Sequence, residues 1–413
     1  MKQTGKWTRL AELTTFEDFI KRVFMIVIWV LVFLPFAILP IFYLVYVLPV
    51  EIQCNFAVYG CTHTIDWSVA LYMFTPNQLN PFDPTSFISS LGLGANSILF
   101  KAGFFPGLTF VALLSSMVIW YERKLLAKMQ YRVGPLYAGR IGGILQSFAD
   151  LFKLLFKEVV IPAKADRLMF LAPVFAMMAL AGALIGIIPI GSGEYIASSP
   201  YSLLIALAIV SFFPLITLLA GWASNNKFSF IGAIRALYQM ISYEIPLILS
   251  VIGVIILSGS LDFVGIVNAQ NRVWFIGPMI LGAIVFYITA MAEVERIPFD
   301  LPEADSELVA GWLTEYTSMV FGTINLAMYI KLYAMSAIFT LLFLGGWSGP
   351  EPIPDFVWFL IKTLIVMTIF IIPRGANPRI RLDQLINFGW VWLIALAFIN
   401  TLVALLLVAY GIL

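Results

Sequence analysis

Residues 202–222 read SLLIALAIVSFFPLITLLAGW, 21 residues without a charged side chain. A helix rises 1.5 Å per residue, so about 20 apolar residues cross the hydrocarbon core of a bilayer. Working outward, the same pattern recurs and predicts nine membrane helices, at 23–49, 98–120, 168–189, 202–222, 241–259, 273–291, 317–345, 357–373 and 385–411. The whole chain agrees with this: 61% of its 413 residues are hydrophobic and 11% are charged, against roughly 25% charged in soluble domains. The expected fold is an all-α integral membrane protein, with an interfacial amphipathic helix and structured cytoplasmic loops.

Composition also excludes several functions. Net charge is +1, so global charge does not point to nucleic acid. Two cysteines, Cys54 and Cys61, and one histidine, His63, are too few for an iron–sulfur cluster or zinc site built from this chain. Neither a GxGxxG nor a Walker A motif occurs. No bound metal or flavin is expected. Residues 23–49 are too long an apolar run for a signal peptide and lack a small-residue cleavage site.

The connections sort by charge. Segments 1–22, 121–167, 223–240, 292–316 and 374–384 hold 20 of the 24 Lys and Arg residues. The alternate set, 50–97, 190–201, 260–272 and 346–356, holds only Arg272, and Lys101, Lys331 and Lys362 lie inside or at the ends of spans. The positive-inside rule predicts a cytoplasmic N-terminus and an external C-terminus, the parity nine spans require. Cys54 and Cys61 then face the oxidising side, either as a disulfide closing a small loop or as two free thiols.

Three cytoplasmic segments concentrate the polar residues. The first opens WYERKLLAKMQYRVGP from Trp120, with Glu122, Arg123, Lys124, Lys128 and Arg132, and continues as GGILQSFADLFKLLFKE. In that second part Ile144, Leu145, Phe148, Leu151, Phe152 and Leu155 follow helical spacing, while Gln146, Asp150, Lys153 and Lys157 fall mostly opposite. Such a helix lies in the membrane interface, apolar face down. Its charges are either simply solvated or, for Asp150 among Phe148, Leu151 and Phe152, placed where an acid is costly. The second segment, GWASNNKFSFIGAIRALYQMISYE, has a turn at Asn225-Asn226 and puts Arg235 and Glu244 on a helical stretch entering the membrane. Glu244 is expected near the start of a span, either favoured by the helix dipole or paired. The third, AEVERIPFDLPEADSELVAGWLTEY (292–316), sets Glu293, Glu295, Asp300, Glu303, Asp305, Glu307 and Glu315 against one Arg296. Pro298 and Pro302 break helix there, and a short helix from about Pro302 would start with acids, as its dipole favours. Acids this close in an apolar setting repel one another, which favours protonation of some of them.

Four blocks carry a family resemblance: ERKLLAKMQYRVGP with LQSFADLFKLLFKE; GWASNNKFSFIGAIRA with QMISYE; AEVERIPFDLPEADSELVAGWLTEY; and PRIRLDQL. In this order and spacing the chain resembles the quinone-chamber subunit of NADH:quinone oxidoreductase, the H subunit of bacterial complex I. The resemblance runs from about residue 98 to the end, which divides the chain into a core at 98–413 and an extension at 1–97 with one further span and an outside loop. It implies a protein of an energy-conserving cytoplasmic or plasma membrane, at the joint between a hydrophilic redox arm and the membrane arm. Quinone would be its substrate. Its partners would be iron–sulfur and quinone-headgroup subunits, small membrane subunits, antiporter-like subunits and lipid. It implies tunnel-lining roles for Arg123, Lys124, Arg132, Arg296 and Asp300, and proton-coupling roles for Asp150, Glu244, Glu293, Glu303, Glu307 and Glu315.

The chain departs from that pattern at several positions. Where many members have Ala-Glu-Tyr, residues 327–329 read Ala-Met-Tyr, with Lys331 about one turn beyond. The family's usual Asn in AETNR is Glu295, and Leu382 stands where Tyr is common. Three other readings compete: a relative oxidising reduced F420 and reducing methanophenazine, the corresponding subunit of a membrane-bound hydrogenase, and a stand-alone secondary transporter. A transporter would often show paired interrupted helices, and no such pairing is evident here.

Overall fold

A computed structural model describes residues 107–410, apart from 140–141, 193–194, 198 and 351–352, together with Gly103 and a short strand, β1, at Thr8–Arg9. The expected span at 23–49, both cysteines and the rest of the extension apart from β1 lie outside the described residues. The described chain is mostly helical: α1 Leu108–Met129, α2 Gln146–Phe156, α3 Arg167–Ile187, α4 Ser202–Ala223, α5 Lys227–Ser258, α6 Phe263–Ala269, α7 Ile280–Glu293, α8 Asp305–Leu308, α9 Ser318–Phe343, α10 Asp355–Ala376 and α11 Leu382–Ala409. Its one ladder pairs β1 antiparallel with β2, Val160–Ile161.

Among the described residues, α3, α4, α5, α9, α10 and α11 are long and apolar enough to cross a membrane. Helix α1 has the length, but its second half carries Glu122, Arg123, Lys124 and Lys128, and α7 has only 14 residues. Helix α9 is the axis of the bundle, with 78% of its most apolar window buried against 28% for α11. This position explains how the least apolar of the six helices keeps Lys331 inside: its neighbours there are protein side chains, which can pair a charge, rather than lipid. Helix α5 packs against α4, α7 and α11, while α3 bridges α4 and α9.

Two expectations are corrected. The span expected at 241–259 is the distal half of a 32-residue helix that begins at Lys227, where Asn226 caps it by accepting a 3.1 Å bond from the Phe228 N–H. Glu244 is therefore an interior helix residue, and favour from a helix N-terminus does not account for it. The span expected at 273–291 is helical only from Ile280, after turns across 270–279. The chain after α7 leaves helix before Pro298, and the short helix expected from about Pro302 forms at Asp305–Leu308.

Candidate functional site

The first half of α5 organises the acidic loop. Asn226, Ser229, Gly232, Arg235 and Gln239 recur every three or four residues, so they share one face of the helix. Asn226 donates to Glu315 (2.7 Å), and the Ser229 hydroxyl donates to the Trp312 carbonyl (3.0 Å). Arg235 pairs with Glu307, and Gln239 donates to the Ala292 carbonyl (2.7 Å). Between them Gly232 lets the loop backbone approach: a Cβ there would lie 2.8 Å from the Trp312 nitrogen. The loop doubles back on itself at Gly311, whose φ is +54° and whose missing Cβ would overlap the Pro302 carbonyl. The loop thus lies antiparallel along α5, fixed from Glu315 back to Ala292.

Two other family-like blocks also meet this loop. Asp300 pairs with Arg379 (3.1 Å), and the Ile380 N–H donates to the Pro298 carbonyl (3.3 Å), joining the PFDLP stretch to the PRIRLDQL stretch. From α1, buried Glu122 accepts from Arg296 (2.9 Å) and Tyr329 (2.9 Å) and pairs with Arg374. Arg296 also stacks its guanidinium over the Tyr329 ring at 4.5 Å. One carboxylate that is 1% exposed thus ties together α1, the loop, α9 and α10.

Arg123, expected in the tunnel, pairs with Asp150, expected in coupling, at 2.5 Å, and Gln146 adds a 2.9 Å bond to that acid. Lys124 packs beside Gly134 and Gly142, and Arg132 is exposed. Helix α2 hangs on α1 through the Ser147 hydroxyl, which donates to the Ser116 carbonyl (2.8 Å), and leaves Leu151, Phe152 and Phe156 exposed. Glu244, inside α5, accepts from the Ser211 hydroxyl of α4.

At the end of α7, Lys331 of α9 donates to the Glu293 carboxylate (2.8 Å) and to the Glu293 carbonyl (2.6 Å). Its ammonium also sits 4.5 Å from the centre of the Phe213 ring. This pair borders a cavity of about 20 Å³, also lined by Thr217, Trp312, Met328 and Glu295. Glu295 is 5% exposed, with a left-handed backbone at φ 55°. A non-glycine residue there costs about 1–2 kcal/mol, less for Asn. Burial pushes the Glu295 carboxyl up to about 8, opposed by Lys331 and reinforced by Glu303, Glu293 and Asp300.

A family model described as NADH dehydrogenase matches residues 104–405. The chain is 43% identical over 297 residues to the H subunit of NADH-quinone oxidoreductase from Brevibacillus brevis, covering 71% of this chain and 88% of that one. To the H subunit from Anoxybacillus flavithermus it is 47% identical over 290 residues, covering 69% and 86%. The chain belongs to the family of NADH-quinone oxidoreductase H subunits. The member from Geobacillus thermodenitrificans, 42% identical over 317 residues, extends the match to 75% of this chain and 91% of that one. Membership of this family and the six long apolar helices among the described residues together make the chain an integral membrane protein that belongs to a multisubunit oxidoreductase.

The fold brings the residues expected from the family into distinct groups. Glu307 and Glu315 sit on the α5 face, Arg296 at the junction with α1 and α10, Asp300 on Arg379 in the connection after α10, and Glu293 on Lys331. Glu303 belongs to the same loop and acts on Glu295 through its charge. Asp150, Arg123, Lys124 and Arg132 form a separate group on α1, α2 and the connection between them. Sequence reasoning missed Glu122, Arg374 and Tyr329 as a unit, because their partners lie up to 252 positions apart. It counted Glu295 among the crowded acids of the loop and noted it, Met328 and Lys331 as departures from the family pattern, without bringing the three together. All three line one cavity.

Proposed function

We propose that this chain forms the quinone-binding tunnel at the junction of a complex I-type oxidoreductase and couples quinone reduction to proton translocation. The single observation that carries this reading is the α5 face. The acidic loop is held on the first half of the same continuous helix that carries Glu244 in its second half. A change of charge or hydration near the loop has a rigid route to an intramembrane acid.

In this reading the N-terminus is cytoplasmic, and quinone enters headgroup-first past Arg123, Lys124, Arg132, Arg296 and Asp300. Electrons come from iron–sulfur subunits of the hydrophilic arm. Glu303, Glu307, Glu315, Glu293, Glu244 and Asp150 then shift protonation and bias antiporter-like partners. The exposed apolar side chains of α2 face lipid or a neighbouring subunit. A shift of one pKa unit corresponds to about 1.4 kcal/mol of differential interaction, so shifts of two or three couple charge to shape.

The test is Glu244→Gln in the intact complex. Assembly is expected to persist, because the amide can still accept from Ser211, while quinone-linked turnover and proton movement fall together. Normal turnover with normal pumping would remove Glu244 from the path.

A further inference from the structure

The cavity between α4, α9 and the acidic loop is sized for one water, which needs roughly 10–15 Å³ and two to four polar partners. Two residues of its lining carry buried polar atoms with no hydrogen-bond partner among the described residues: Glu295 Oε2 and Trp312 Nε1. Glu295 is 95% buried by its 5% exposure, and Trp312 is 1% exposed. A buried indole N–H and a buried carboxyl oxygen left unsatisfied on one small cavity call for a ligand that both donates and accepts. The Lys331 ammonium on the same wall disfavours a metal cation there. A water fits.

We propose that this cavity holds one water through which Glu295 and Glu293 exchange a proton, with Lys331 changing carboxylate partner. Before transfer Glu295 is the neutral acid and Glu293 is the carboxylate that Lys331 holds. The Glu295 O–H gives its proton to the water, and the water gives one of its own to Glu293. Afterwards Glu293 is neutral, Glu295 is the carboxylate, and the ammonium turns to it. The three groups sum to zero charge before and after, so the exchange places no uncompensated charge in the interior. The charged and titratable groups facing Glu295 and the pair are Lys331 on α9, Glu293 at the end of α7, Glu244 on α5, and Glu303 and Asp300 of the loop. The proposal rests on the coupling role given above, and assigns a step of it to two residues outside the expected set, Glu295 and Lys331.

The experiment uses the purified intact complex in liposomes, with infrared difference spectra and proton uptake measured on the same sample during quinone reduction. The wild type is expected to show a carboxylic-acid stretch that Glu295→Gln loses and Glu295→Asp retains. The ratio of protons moved to quinone reduced falls in the Gln variant and recovers in the Asp variant. Trp312→Phe keeps an aromatic ring but removes the donor, and is expected to shift the same band. An assembled Gln variant with an unchanged band and an unchanged ratio overturns the exchange while leaving quinone coupling intact. If the Gln variant fails to assemble, an unshifted band in Trp312→Phe overturns it instead. Absence of quinone reduction in the wild type removes the coupling role and the exchange with it.

Discussion

Two buried carboxylates in this molecule are held by cations in opposite ways. Glu122 is gripped by two arginines and a tyrosine, from three different parts of the chain. Glu293 is held by one lysine, beside a second carboxyl and a water-sized cavity. Arginine does not give up its proton in proteins, and its planar fork fixes geometry. Lysine is a point charge with rotatable donors and can follow a carboxylate that moves or changes. The Glu122 cluster is thus built as a joint, and the Glu293 cluster is built to rearrange. Both lie where helices meet the acidic loop, so one anchors the loop while the other can answer a change within it.

The sharpest way to break this contrast is Glu122→Ala. It leaves Arg296 buried with its carboxylate partner gone, and Arg296 and Arg374 facing each other. Breaking a buried pair from one side costs roughly 3–5 kcal/mol. The expected outcome is loss of assembled complex from the membrane, read on native gels, with little chain surviving to be assayed for turnover. A variant that assembles normally would mean that the joint is held elsewhere.

The next effect concerns pH. Glu295 titrates near 8 in the folded chain, pushed up from 4.5 by burial. Between those values the unfolded chain has lost a proton that the folded chain keeps, so stability falls as pH rises. The slope is at most about 1.4 kcal/mol per pH unit, and it flattens above the folded value. Thermal denaturation of the solubilised complex between pH 5 and 9 is expected to show this decline. Glu295→Gln is expected to flatten it. An unchanged slope in the Gln variant would place the titrating group elsewhere.

Much of the fold was legible because hydropathy is local. The runs at 168–189 and 202–222 correspond closely to Arg167–Ile187 and Ser202–Ala223. The first half of α5 was legible as a helical stretch after the Asn225-Asn226 turn but not as part of the span, because residues 227–240 mix Lys227, Arg235 and Gln239 with apolar side chains. They are helical because that polar face has a partner, the acidic loop, and a partner 50 to 90 residues away leaves no local trace. The site was legible in a different measure. Acid density marked the loop at 292–316, and the Asn225-Asn226 turn marked the start of the helix that holds it. The convergence of Glu122, Arg374 and Tyr329, and of Glu295 with Lys331, depends on which faces of α1, α9 and α10 meet. Spacing along one chain does not encode that.

The smallest effect sharpens the contrast from outside. Arg123 and Asp150 form a pair as close as the buried ones, but their side chains are 45% and 33% exposed. Water and salt screen such a pair, and exposed pairs contribute about 0–1 kcal/mol. Arg123→Ala is therefore expected to leave assembly and thermal stability nearly unchanged, since Gln146 still donates to Asp150. If the pair serves the tunnel, the variant lowers quinone-linked turnover without lowering the amount of complex, and added salt mimics part of the effect in the wild type. Loss of assembly in this variant would show that α2 needs the charge pair to stay on α1, beyond its bond from Ser147. Turnover, stability and salt response all matching the wild type would reduce the pair to a surface contact. Proximity of opposite charges would then carry meaning in this molecule only where burial removes the water that could replace either partner.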